Sequence, residues 1–121
     1  MMSSQIAPSP EQRQALYRLK LISQEYRKAS PEMPTQQQLV LLDIAENPGS
    51  TLTEIGQRTG LKLAAVSRHI AALGPYRAVK KTGLELVTDG YDAEDRRRKI
   101  ITLTPKGRAV IDSLIHLIQS K

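Results

Sequence analysis

Apolar residues recur at three- and four-residue spacing from Ala15 through Leu16, Leu19, Ile22 and Tyr26, the stripe of an amphipathic helix. Ser9-Pro10-Glu11 supplies its start, with Ser at the cap, Pro at the first helical position and an acid in the first turn. The pattern predicts a helix over about 10–28, ended by Pro31 and Pro34. Tyr17 and Leu21 widen its stripe beyond what one neighbour needs. Thr35 caps a second helix whose expected buried set is Leu39, Leu42, Ile44 and Ala45, stopped by Asn47-Pro48-Gly49. Ser50-Thr51-Leu52 reads as a short extended piece. Thr53 then starts a third helix, Glu54 to about Thr59, closed by Gly60. A fourth follows from about Leu63 to Leu73 and breaks at Gly74-Pro75.

Around Gly83 the period changes from helical to alternating. Leu84, Leu86 and Thr88 face one way and Glu85 and Val87 the other, which predicts a strand. Asp89 to Asp95 is a polar turn, and Arg98-Lys99-Ile100-Ile101-Thr102-Leu103 is the returning strand of a hairpin. Thr104-Pro105-Lys106-Gly107 opens a last helix with Val110, Ile111, Leu114, Ile115 and Ile118 on its apolar face. The expected fold class is mainly α with a small β-hairpin: a winged helix-turn-helix with a long N-terminal helix and a C-terminal helix. Residues 1–8 read as a loose tail and 9–121 as a single domain. Its helix-turn-helix covers about 53–73, its wing about 84–103, and its flanking helices about 10–28 and 105–120.

Composition removes several functions. With no cysteine there is no disulfide, thiol nucleophile or thiolate metal site, and two histidines far apart, His69 and His116, make a poor metal centre. Without Phe or Trp the core must be aliphatic. The longest apolar run, Leu39–Leu42, falls far short of the roughly 20 residues that span a bilayer, and the first residues lack the charged head and apolar stretch of a signal peptide. A soluble, cytoplasmic protein is expected, without membrane attachment or cofactor. No catalytic residue is expected either. Ser67 and His69 point in different directions on a helix, His116 sits at an apolar edge as a packing residue, and no Gly-rich phosphate loop occurs.

Charge adds a partner. The net +6 is uneven: residues 1–76 hold eight basic and six acidic side chains, whereas 77–121 hold ten and six. A surplus of this kind suits a polyanion. With Leu52, Ile55, Leu61, Val66 and Ile70 turned inward, Lys62, Ala65, Ser67, Arg68 and His69 are left for the outer face of the fourth helix. Small residues let a helix sit deep in a major groove, and Arg68 can reach guanine or phosphate. The plainer reading is an α-hairpin with a solvated basic face. Arg96, Arg97 and Arg98 crowd the hairpin tip, where Asp92 and Asp95 can pin one guanidinium and aim another. A tip arginine gains from the potential of a narrow minor groove; otherwise the acids and arginines neutralise one another.

Asp92, Asp95, Arg96 and Arg97, followed by Leu103-Thr104 and Gly107, resemble the wing-to-last-helix signature of the MarR family of winged-helix transcriptional regulators. Leu52-Thr53-Glu54-Ile55 with Val66-Ser67-Arg68 is similar to that family's helix-turn-helix, and the resemblance spans about 35–115. It implies a homodimer whose recognition helices enter successive major grooves while the wings touch flanking minor grooves. It also implies that Arg96 or Arg97 reaches DNA while Asp95 orients it. Three departures stand out. The step from Leu73 to Gly83 is longer than the family's, and its Arg77, Lys80 and Lys81 add phosphate-binding charge. Lys62 replaces a capping Ser or Thr, weakening that helix start by about 1 kcal/mol. The chain also stops at Lys121, about one helix short of the family's dimerisation arm. Dimerisation is then expected to rest on the first and last helices, through Leu16, Leu19, Ile22, Tyr26, Leu114 and Ile118. The family's small-molecule pocket between dimer arms and DNA-binding domain need not be present.

The expected function is sequence-specific binding of double-stranded DNA by a dimeric repressor. The alternatives are a winged helix used as a protein-interaction module in a replication or mobile-element assembly, favoured by the short arm and long connection, and non-specific duplex binding.

Overall fold

A computed structural model describes residues 7–78 and 81–120, the side chains of 76–78 and 81 excepted. Helix α1 (Pro10–Ala29) starts at the expected cap, with the Ser9 hydroxyl accepting the Gln12 N–H and Gln12 reaching back to the Ser9 N–H. Helices α2 (Thr35–Glu46), α3 (Leu52–Thr59) and α4 (Leu63–Leu73) follow, then strands β1 (Tyr76–Ala78), β2 (Lys81–Thr82), β3 (Val87–Tyr91) and β4 (Lys99–Leu103), and helix α5 (Pro105–Gln119). Each pair of strands forms its own antiparallel two-stranded sheet. The β1–β2 pair lies in the connection between α4 and the wing. Most of the expected tail, residues 1–6, lies outside the described residues.

The core is aliphatic. Val40, Leu41 and Ile44 of α2, Ile55 of α3, Val66 and Leu73 of α4, Leu86, Val87, Ile101, and Ile111 and Leu114 of α5 meet there, joined by Tyr26 and Met33. Gly60 ends α3 in the left-handed region (φ +77°), where a side chain would be strained, and its N–H donates to the Gly56 carbonyl. That bend crosses α4 over α3. No helix among the described residues is long and apolar enough to cross a membrane.

Three expectations about local structure need correction. In α2 the buried arc is Gln37, Val40, Leu41 and Ile44, while Leu39 and Leu42 are exposed. Packing against α3, α4, β4 and α5 sets this phase, and a run of four consecutive apolar residues gave periodicity nothing to choose by. Next, α3 begins earlier, at Leu52, because Thr51 rather than Thr53 is the cap. Thr51 and Glu54 form a reciprocal capping box.

Finally, residues 84–86 are not a strand. The N–H groups of Leu84, Glu85 and Leu86 donate to the carbonyls of Ala72, Gly74 and Leu73, so the segment satisfies the end of α4. Glu85 takes a left-handed turn (φ +59°), after which Leu86 and Val87 are both buried and alternation fails. The wing proper starts at Val87, paired with Leu103, and runs to Tyr91, paired with Lys99. Its β4 strand is fastened to the body at its midpoint, where the Ile101 N–H donates to Ser50 O (2.8 Å) and the Gly49 N–H to Ile101 O (3.0 Å).

Candidate nucleic-acid interface

Val66, His69, Ala72 and Leu73 form the buried side of α4. The opposite side exposes Leu63, Ala64, Ser67 and Arg68, with Lys62 at the N-cap and Ala65 half-buried. Lys62 makes no side-chain capping bond, in keeping with the weak start expected of it. Ser67 and Arg68 therefore stand on one outward surface, joined by Ala64, which sequence reasoning missed, while Lys62 is exposed at the helix start. The spacing 64, 67, 68, 71 marks that surface once Val66, Ile70 and Leu73 are taken as inward.

His69 is the correction. It is only 8% exposed and faces α2, not the outer surface. Nδ1 lies 3.5 Å from Gln37 Oε1 and Nε2 3.3 Å from Gln36 Oε1, so the imidazole bridges α4 to the first turn of α2. The same inward period that buries Val66 and Leu73 carries it there. Burial, and secondarily the neighbouring Arg68 charge, hold its pKa below the ordinary histidine value. The unfolded chain thus takes up this proton before the folded protein does. Stability is at its full value above about pH 6.5 and falls as the pH drops through that point. Urea unfolding between about pH 7.5 and 5.5 should show this decline, and His69→Gln should flatten it; an equal slope in the variant would mean the proton goes elsewhere.

The wing turn separates the three arginines. The Arg97 guanidinium pairs with Asp95 (3.3 Å), whose carboxylate also accepts the Arg97 N–H (3.0 Å). Arg98 does not share that acid. Its Nη2 donates to Glu54 Oε1 on α3 (2.8 Å) and its Nε lies 3.8 Å from Asp92. Arg96 is exposed, with no carboxylate within pairing distance among the described residues. Lys99 pairs with Asp89 across the two wing strands (2.8 Å). Glu54 is thus a site residue that the sequence did not disclose, since 44 positions separate it from Arg98. Of the phosphate-binding candidates, Lys80 and the side chains of Arg77 and Lys81 lie outside what is described.

Helix and wing face a common space. Ser67 and Ala71 of α4 with Thr88, Asp89 and Lys99 of the wing line one cavity of about 450 Å³, floored by Leu52, Val87 and Ile101.

The expected dimer residues divide. Tyr26 and Leu114 are buried in the chain's own core and Ile22 packs against it, because α1 lies along α5 within the chain. Leu16, Leu19 and Ile118 are more than half exposed, and Tyr17 and Ile115 are also uncovered. The sequence showed one apolar stripe on each helix but not how much of it the partner helix takes.

Known proteins share this arrangement. A family profile described as winged helix-turn-helix DNA-binding matches residues 35–74. The HTH-type transcriptional regulator TcaR of Staphylococcus aureus (strain Newman) is 39% identical over 95 residues, 77% of this chain and 54% of that protein. Uncharacterised HTH-type regulators of the same species match over 47% of their length, so the chain spans about half the length of the curated relatives it matches. Among solved structures, Staphylococcus aureus MarR in complex with salicylate and kanamycin is 30% identical. It superposes with a TM-score of 0.60 over 87% of this chain and 65% of that one. The transcriptional repressor CouR, bound to a 23-mer DNA duplex, is 28% identical with a TM-score of 0.56 over 88% and 71%. Capped helix-turn-helix, arginine-bearing wing and these likenesses agree: the chain carries a winged helix-turn-helix similar to those of the transcriptional regulators TcaR and MarR.

Proposed function

We propose that the protein binds double-stranded DNA in a sequence-specific manner and acts as a dimeric transcriptional repressor. The observation that carries this reading is the shared space between the outward face of α4 and the wing. Ser67 lines that space from α4 and Thr88, Asp89 and Lys99 line it from the wing, whose turn carries the exposed Arg96 and Arg97, while Arg68 is exposed next to Ser67 on α4. A helix face of small and basic residues fits a major groove, and an arginine-tipped ribbon fits the adjoining minor groove. Arg68 and Ser67 meet base edges, Lys62 a phosphate, and Arg97, aimed by Asp95, works with Arg96 at the wing. His69 supports the helix from behind. The uncovered Leu16, Leu19 and Ile118, with Tyr17 and Ile115, form the face for a second copy, which places two recognition helices on one duplex. A cytoplasmic location on DNA and a role without catalysis go with this reading.

Arg68→Ala is the test. On a duplex the protein selects, the variant should bind about 10- to 100-fold more weakly, a loss of about 1–3 kcal/mol, and tolerate more bases at the contacted position. Unchanged affinity in a fluorescence anisotropy titration would remove the outer face of α4 from the interface.

A further inference from the structure

We infer that Glu54 and Arg98 form a clasp that sets the angle of the wing against the helix-turn-helix. In this arrangement Arg98 positions the DNA-facing arginines and does not itself contact DNA. The inference rests on the DNA-binding reading above and assigns to Arg98 a role different from that of its two neighbours.

Among the described residues, backbone pairing holds the wing to the body halfway along its strands, through Ile101 with Gly49 and Ser50. Beyond that point β3 and β4 pair with each other alone. A two-stranded ribbon has little rigidity of its own. Among the described residues, the hydrogen bond or ion pair that ties the outer ribbon back to the body is Arg98 Nη2 to Glu54 Oε1, 2.8 Å.

Both ends of that contact are fixed. The same Glu54 oxygen accepts the Thr51 N–H (2.9 Å) and hydroxyl (3.2 Å), while the Thr51 hydroxyl oxygen accepts the Glu54 N–H. The α3 capping box therefore holds the carboxylate in one place. The Thr51 N–H and Arg98 also keep the Glu54 carboxyl below its ordinary pKa, so the pair is charged at neutral pH. At the wing end, the Arg98 N–H donates to Asp95 O (2.9 Å) and its carbonyl accepts the Asp92 N–H (2.8 Å). Those bonds close the turn that carries Arg96 and Arg97. Anchoring Arg98 anchors that turn.

Both side chains are about 40% exposed (42% and 39%), so the pair adds little to overall stability. Its effect is on orientation, because wing positions that differ only slightly in energy respond to a small bias.

The test uses the full chain with Glu54→Gln, Arg98→Gln and both together. Gln at 54 keeps the oxygen that caps Thr51, so folding is preserved. Two readouts are needed: the rate of tryptic cleavage after Arg96 and Arg97 without DNA, and binding to sheared double-stranded DNA across a salt series. Each single variant should speed cleavage and weaken binding by about fivefold, with the double variant no worse than either. The slope of log affinity against log salt should not change.

Three results would overturn the clasp. One is cleavage that stays at the wild-type rate in Glu54→Gln. Another is an Arg98→Gln loss that is equal in both backgrounds and lowers the salt slope by about one, which would make Arg98 a phosphate contact. The third is tighter binding by Glu54→Gln, which would make Glu54 a competitor of DNA. If the wild type binds no DNA, the functional reading fails, and the cleavage rates still decide the clasp.

Discussion

Gly107→Ala should lower stability by about 3 kcal/mol or more, a drop in Tm of roughly 10 °C, although residue 107 lies in the first turn of an α-helix. Alanine is normally favourable there. Here the Leu86 carbonyl rests against the Gly107 Cα, and a Cβ would overlap both its carbon and its oxygen. Neither side can give way. The Leu86 side chain is fully buried, its N–H is bonded to Leu73 O, and its carbonyl accepts the Thr104 N–H. The Thr104 hydroxyl, which caps α5 by accepting the Gly107 N–H, donates in turn to Glu85 O. The Thr104 to Gly107 spacing thus docks the start of α5 onto the segment that closes α4 and leads into the wing. Thermal unfolding checks the prediction; a loss under about 1 kcal/mol would show that the contact relaxes easily.

Asp43→Ala should cost about 2–3 kcal/mol. Asp43 is an acid on the buried side of α2, where it receives Nε (3.0 Å) and Nη2 (2.8 Å) of Arg58 from α3. The guanidinium continues to the Ser50 hydroxyl, which donates to Asn47 O (2.6 Å). One ion pair therefore joins α2, α3 and the residue that bridges to β4. Removing the acid leaves the Arg58 guanidinium without its carboxylate partner. Arg58 is about one-third exposed (35%), so part of its charge can return to water, which keeps the cost below that of a fully buried pair. Adding Arg58→Met should restore part of the loss, since the charge no longer needs a partner. Chemical denaturation of the two variants measures this. If the double variant is less stable than Asp43→Ala by the full cost of a second truncation, the two residues act independently.

Where a single local rule governed, the sequence was legible. Ser9 and Thr104 announce the starts of α1 and α5, Gly60 announces the crossing of α3 and α4, and the returning strand expected over Arg98–Leu103 is present as Lys99–Leu103. Legibility ended where two candidates satisfied the same rule. Thr51 and Thr53 could each cap α3, and the Leu39–Leu42 run fits more than one helical phase. His69 has the chemistry of a groove reader, but its position in the α4 period turns it inward onto Gln36 and Gln37. The arginine run illustrates a different limit. Composition places three cations at the wing, but which one is bound to an acid depends on a glutamate brought near only by the fold. Likewise Tyr26 and Leu16 belong to one apolar stripe, yet α5 and the core cover the first and leave the second open.

Selection from a random duplex library on the purified protein at about 150 mM salt, followed by sequencing, tests the central claim most directly. The account predicts an inverted repeat whose half-sites lie about one helical turn apart, matching two α4 helices in successive major grooves. Recovery of DNA without any shared motif would contradict sequence-specific reading and leave an architectural binder. Recovery of no DNA at all would contradict the DNA-binding account and point to a winged helix that engages protein.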